Sequence, residues 1–283
     1  MKKILEFLDN LQYRHRILGF GVAIVKRYSD DRAGNRAALL TYYSFMSLFP
    51  LLLWLAFMSN WLNQYQPGTA AALIHGAIRY FPVLGGQLYF IAHAAHHSLF
   101  GMIVPGLVAL YGARGTASVF QSTVNDIWAV PESDRSHFPA NWLAGVGIVV
   151  FGGGGFVLSA VISSWALSQG RGGWYSLIIG LLNILMFTAV FMLILRLSLP
   201  AKTRLNNVVG SALSMAVAMA VLQLAGGFIV THDLKTYTNA YTALFAVTLG
   251  LLAWIYLQAQ ILLYAIEISV VHSRHMWPIK LFV

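Results

Sequence analysis

A chain of 283 residues that is 58% hydrophobic and only 10% charged has too few charged side chains for a soluble globular domain, where about a quarter of residues are charged. It contains no cysteine, which excludes disulfides, thiolate nucleophiles, thiolate zinc sites and iron–sulfur clusters. The formal charge of +9 points either to nucleic acid or to the loops of a polytopic membrane protein, and the placement of the charges decides between them.

Residues 1–36 carry eight Lys or Arg among apolar residues. Ile4, Leu5, Leu8 and Leu11, and then Ile17, Leu18, Val22 and Val25, recur at helical spacing. This predicts one or two amphipathic helices in the cytoplasmic interface, with basic side chains toward anionic headgroups. A cleavable signal peptide is not expected, because the next apolar segment is too long and lacks a small-residue cleavage site after a short core.

Six apolar segments follow, at 37–62, 99–120, 142–167, 174–199, 208–230 and 242–271, each long enough for a membrane-spanning helix. In the first, Pro50 removes a backbone donor and predicts a kink, with Thr41, Ser44 and Ser47 placed to satisfy freed carbonyls or a neighbouring helix. Residues 63–98 are interrupted by Pro67, Gly68, Pro82, Gly85 and Gly86, which predicts an external hairpin of two short amphipathic helices. The second segment continues as helix toward Trp128 and places Arg114, Ser118, Gln121 and Asn125 on one face.

The third span contains Gly152, Gly153, Gly154 and Gly155, which permit close helix contact or local unwinding. The fourth contains Asn183 and, near its exit, Arg196, and the fifth is rich in Ala, Ser and Gly. The sixth is almost wholly apolar except for Gln258, Gln260 and Glu267. Tyr256, Gln260, Glu267 and Arg274 share a narrow face of it, which must look into protein or water rather than lipid.

The resulting expectation is an all-α polytopic membrane protein with six transmembrane helices in a single domain at 37–271, preceded by the interfacial segment 1–36 and followed by a tail at 272–283. With six spans both termini share one side. That side holds thirteen Lys or Arg against three in the opposite loops, which predicts cytoplasmic termini. The basic excess is thus topological, and no nucleic-acid partner is expected.

RAALLTYYSFMSLFPLLL in the first span, VFQSTVNDIWAVP closing the second, and AWIYLQAQILLYAIEISVV followed by WP resemble the YihY/BrkB family of bacterial inner-membrane proteins. The resemblance covers nearly the whole chain and implies a six-span architecture. Two departures are visible: the family's Tyr-Gly opening of the last span is Tyr241-Thr242, and its Gly-Ala-Glu is Ala265-Ile266-Glu267. Members have been labelled as a tRNA-processing ribonuclease, and others are associated with serum resistance or envelope lipid handling.

The residues argue against a nuclease. Nine acidic residues are spread over five segments, so no two-metal cluster can be read from them, and the GGGG run lacks the lysine of a phosphate loop. His93 and His97 have the i, i+4 spacing of a metal pair but lack a nearby carboxylate, so no metal and no cofactor are expected. Arg114, Gln121, Asn125, Asp126, Arg196, Gln260 and Glu267 are the candidate lining of a polar cavity between spans two, four and six. In it Glu267 would pair with Arg114 or Arg196 and meet an amphiphile headgroup or relay protons; the alternative is a buried ion pair that only fixes helix register. Trp54, Trp61, Trp128, Trp142, Trp165, Trp174 and Trp277 are expected at the membrane interfaces as anchors. The functional expectation is a non-enzymatic, flippase-like protein of the inner membrane that handles lipids or lipid-like amphiphiles, its partners being membrane lipids, with oligomerisation left open. The alternatives are a structural or assembly component of the envelope and, more weakly, the ribonuclease.

Overall fold

The computed structural model describes residues 16–65, 99–137, 139–168, 173–200, 202–233, 240–274 and 276. Among these, every regular element is a helix: α1 (Arg16–Asp30), α2 (Ala33–Tyr65), α3 (Leu99–Ile127), α4 (Ala140–Ser168), α5 (Gly173–Ser198), α6 (Leu205–Asp233) and α7 (Ala240–Ser273), with a short 3₁₀ turn at Glu132–Asp134. The six long helices lie over the six apolar segments. The external hairpin expected at 63–98, with His93 and His97, falls almost entirely outside the described residues.

Helices α2 to α7 close into a ring in which each packs on its chain neighbour and α7 packs back on α2. Contacts of α3 with α5 and with α7 cross the interior, and α1 lies against α7 and α2. All six ring helices contribute to one apolar core. Most of its fully buried side chains, among them Val124, Ile127, Leu195, Val208, Leu263, Ile266 and Val270, sit at the end where α3 and α5 finish and α6 begins. Farther along, α5 presents Leu177, Ile178, Leu181, Leu182 and Leu185 outward. Such continuous apolar exposure suits a hydrocarbon solvent rather than water.

Among the described residues, four helical stretches are long and apolar enough to cross a membrane: Ile103–Ile127, Leu177–Ser198, Leu205–Ala225 and Thr248–Ser273. In α4 the described apolar stretch Ala140–Gly155 is shorter. In α2, Asn35, Arg36 and a run of Ser, Thr and Tyr dilute the hydropathy.

Helices α2 and α3 form the closest pair, and glycine makes it possible. A methyl group on Gly112 would stand 2.7 Å from Ser47 Cβ, one on Gly115 2.5 Å from Tyr43 Cδ1, and one on Gly106 2.8 Å from Trp54 Cδ1. Helix α2 runs unbroken through Pro50 and α3 through Pro105. The GGGG run is likewise continuous helix rather than an unwound segment. Gly155 admits Val190 and Gly152 faces Ile194, both on α5, whereas nothing approaches within 4 Å of the missing side chains of Gly153 and Gly154. Close packing thus accounts for two of the four glycines.

Helix α3 ends in a Schellman arrangement: Val130 N–H donates to Asn125 O at 2.8 Å and Ala129 N–H to Asp126 O at 2.8 Å. Ala129 occupies the left-handed position with φ 47°, where glycine is favoured. Ala129→Gly is therefore expected to raise stability by about 1 kcal/mol. A thermal-unfolding comparison in detergent checks this, and a lowered midpoint would show that Ala129 contributes packing outweighing the strain.

Candidate functional site

The C-terminus of α3 collects charge from four other segments. Its last carbonyls have no helical acceptor role left to fill, and a helix C-terminus carries partial negative charge, so guanidinium groups are attracted there. Arg27 of α1 donates through Nη2 to Ile127 O at 3.0 Å, and Arg274 at the end of α7 donates to Trp128 O at 2.6 Å. Asp126, in the last turn, accepts from Arg36 of α2 at 2.6 Å and from Arg135 of the following loop at 2.5 Å. Arg36 Nε also donates to Asp31 O and Arg135 Nε to Val130 O. Four arginines thereby tie α1, α2, α7 and the loop before α4 to one helix end.

Glu267 lies beneath this clasp and is 0% exposed. Arg27 Nε stands 3.6 Å from its Oε2, an ion-pair distance beyond hydrogen-bond reach, and neither carboxylate oxygen has a hydrogen-bond donor among the described residues. Arg27 is itself shared, donating also to Asp31 Oδ2 at 3.2 Å and approaching Met276 Sδ at 3.4 Å. A carboxylate without bulk water, whose one cation among the described residues stands at 3.6 Å, is a strained electrostatic element; its desolvation is only partly offset. Beside it, the Tyr28 ring stacks on Tyr264 with centroids 3.8 Å apart, fixing α1 on α7. Burial, reinforced by the neighbouring Tyr264 and Tyr256 hydroxyls, pushes the Tyr28 phenol up to about 12.

The expected partners of Glu267 are thus corrected. Arg114 is exposed on α3 and meets no carboxylate among the described residues. Arg196, partly exposed, donates to Thr203 O at 3.4 Å across the α5–α6 turn. No Cα atoms of α5 and α7 come within 8 Å of each other among the described residues, so Arg196 on α5 is not brought against Glu267 on α7 by direct packing of the two helices. The α3 stripe divides along its length, with Arg114 and Ser118 exposed but Gln121 and Asn125 buried, because only the lower half of α3 is enclosed by the ring. Asn125 donates to Ser198 O at 3.0 Å and to Gln121 O at 2.8 Å, linking α3 to the end of α5. Gln260 is half-buried on α7.

The sequence reading missed Arg27 as a partner by counting it among headgroup-facing cations. The signal was present: Phe20, Ala23 and Arg27 fall on one face of α1, with Asp31 following just past its end, and that face docks on α7, with Ala23 buried and Phe20 edge-on to His272. Trp128, expected as an interfacial anchor, is instead 3% exposed within the core, whereas Trp142 and Trp174 are exposed. No group of three His, Asp or Glu side chains with metal-site geometry occurs among the described residues.

Comparison with known proteins agrees with a membrane protein. The family model for virulence factor BrkB matches residues 24–278. A UPF0761 membrane protein of Xanthomonas axonopodis pv. citri (strain 306) is 24% identical over 277 residues, covering 91% of this chain and 62% of its own length. The chain therefore spans less than two thirds of that relative. No solved structure matches. With the three sequence motifs and a family-model match over most of the chain in agreement, the chain belongs to the BrkB family of membrane proteins.

Proposed function

We propose that the protein handles lipids or lipid-like amphiphiles in a bacterial inner membrane, without catalysing a reaction, as a six-span protein with both termini in the cytoplasm. The observation that carries this reading is an open groove of about 380 Å³ on the side of the ring, where α7 closes against α2. Tyr42 and Phe45 of α2 and Leu252, Ala253 and Tyr256 of α7 line it. Its volume is within the range of about 300–1,000 Å³ usual for small-molecule sites, and its walls are mostly apolar, as such sites are. It lies beside the apolar stretch Thr248–Ser273, so a hydrocarbon chain is the occupant most available at that depth. The orientation follows the basic excess on the side of the termini.

The test is translocation of a fluorescent phospholipid in proteoliposomes. Wild-type protein is expected to accelerate it over protein-free vesicles. Ala253→Trp, which fills the groove from an exposed position, is expected to return the rate close to that of protein-free vesicles without lowering the unfolding midpoint. Equal rates for wild-type and protein-free vesicles would contradict the reading. The arginine clasp favours one second reading, a structural component of the envelope. In that case clasp variants should change stability while groove variants leave every cellular phenotype unaltered.

A further inference from the structure

A cleft of about 260 Å³ opens at the end of the ring, apart from the lateral groove and beside the clasp. Its walls are the turn after α3, the loop at 200–204 that leads into α6, and the end of α7. Three cations line it, Lys202, Arg204 and Arg274, with Asp134 as the one carboxylate in its wall. Lys202 and Arg204 are exposed and have no carboxylate partner among the described residues. Arg274 is held in place: it donates to Trp128 O at 2.6 Å, and its guanidinium carbon stands 5.9 Å from the centre of the Trp128 ring. That single hydrogen bond leaves its other N–H groups available.

Helix α6 begins at Leu205 beside this cleft and has no acidic residue in its first turn to balance its positive end. The Asn207 and Val208 amides both turn back to Arg204 O, and the Leu205 and Asn206 amides have no carbonyl partner among the described residues. A second, independent feature points to a missing acceptor. Trp128, 3% exposed, lines the same cleft, and its indole Nε1–H has no hydrogen-bond acceptor among the described residues. A buried donor left without an acceptor is uncommon in a folded protein.

We propose that this cleft binds a phosphate group, with Lys202, Arg204 and Arg274 supplying charge and the first turn of α6 supplying amide donors. Helix N-termini flanked by cations are a recurrent solution for phosphate, and Arg with Lys gives both a fork and a point charge. Phosphate at this position reaches the protein either on a lipid headgroup or on a soluble phosphorylated molecule. The cleft is separate from the groove between α2 and α7, so its test stands whether or not the groove holds a lipid chain.

The experiment measures binding to the full-length protein in phosphatidylcholine nanodiscs, with tryptophan fluorescence and calorimetry as readouts. One arm titrates inorganic pyrophosphate; the other compares nanodiscs with and without phosphatidic acid. Saturable binding of pyrophosphate supports a soluble source, and a response confined to phosphatidic acid supports a lipid source. Lys202→Gln with Arg204→Gln, both at exposed loop positions, should weaken either interaction by about tenfold or more. Asp134→Asn should tighten it by removing the repelling carboxylate, and Trp128→Phe should remove the fluorescence change. No binding in either arm, or binding unaltered by the double substitution, would overturn the proposal.

Discussion

Arg27→Ala should destabilise the folded protein by about 3–5 kcal/mol, the usual consequence of leaving a buried carboxylate without its cation. Glu267 is fully enclosed, and the Arg27 guanidinium at 3.6 Å is the cation that compensates it. The same substitution frees Ile127 O at the end of α3 and releases Asp31, so the loss is felt on three helices at once. Removing both charges should behave differently. Glu267→Leu together with Arg27→Met should recover most of the loss, because burying two apolar side chains avoids the desolvation that the ion pair only partly offsets. Unfolding midpoints in detergent for Arg27→Met, Glu267→Leu and the double variant measure the coupling directly. If Arg27→Ala unfolds at the wild-type midpoint, the pair does not hold α1 on α7.

The second large effect is expected in the α2–α3 hairpin. At Gly112 the obstruction to a side chain includes backbone: a Cβ would meet Ser47 Cα at 3.0 Å and Ser47 N at 3.3 Å. Backbone cannot rotate aside as a side-chain tip can, so Gly112→Ala should separate the two helices and cost about 1–3 kcal/mol, and Gly112→Leu more. The Ser44–Thr116 hydroxyl contact at 3.4 Å lies one turn away and should be lost with the displacement. Gly153→Ala provides the control, since nothing lies within 4 Å of its missing side chain and helix propensity alone should make the change neutral or slightly favourable. A disulfide cross-linking rate between cysteines introduced on α2 and α3, slowed in Gly112→Ala and unaltered in Gly153→Ala, checks the prediction. Equal rates in both variants would show that the glycine does not set the spacing.

These two sites also show what can and cannot be read from such a chain. Helix existence is written in continuous apolar length, and the six long helices lie where the apolar segments are. Glu267 identifies itself because a carboxylate inside some thirty apolar residues has no inexpensive place to be. Its partner does not, because helical periodicity fixes the face of one helix and says nothing about which other helix arrives there. Arg114 and Arg196 were the cations within the spans, but α5 and α7 stand apart in the ring, and α1 supplies Arg27 from outside it. Depth along a helix is equally hidden: Arg114 and Asn125 share a face, yet one is exposed and the other buried, because enclosure depends on how far down the ring each sits. The GGGG run overstated its own importance for the same reason, since only the glycines facing α5 meet a neighbour. Trp128 shows the reverse error, where position near a span end suggested an anchor and the Schellman turn after α3 folds it inward.

Lipid handling and a structural role predict different occupants for the groove between α2 and α7. The most direct measurement is photo-crosslinking in native-lipid nanodiscs with a phospholipid carrying a diazirine on its acyl chain, followed by peptide mapping. Amphiphile handling predicts saturable labelling concentrated in residues 38–45 and 252–256, abolished by Ala253→Trp. Labelling spread evenly over the exposed apolar faces, with no enrichment in those segments and no response to Ala253→Trp, would contradict it.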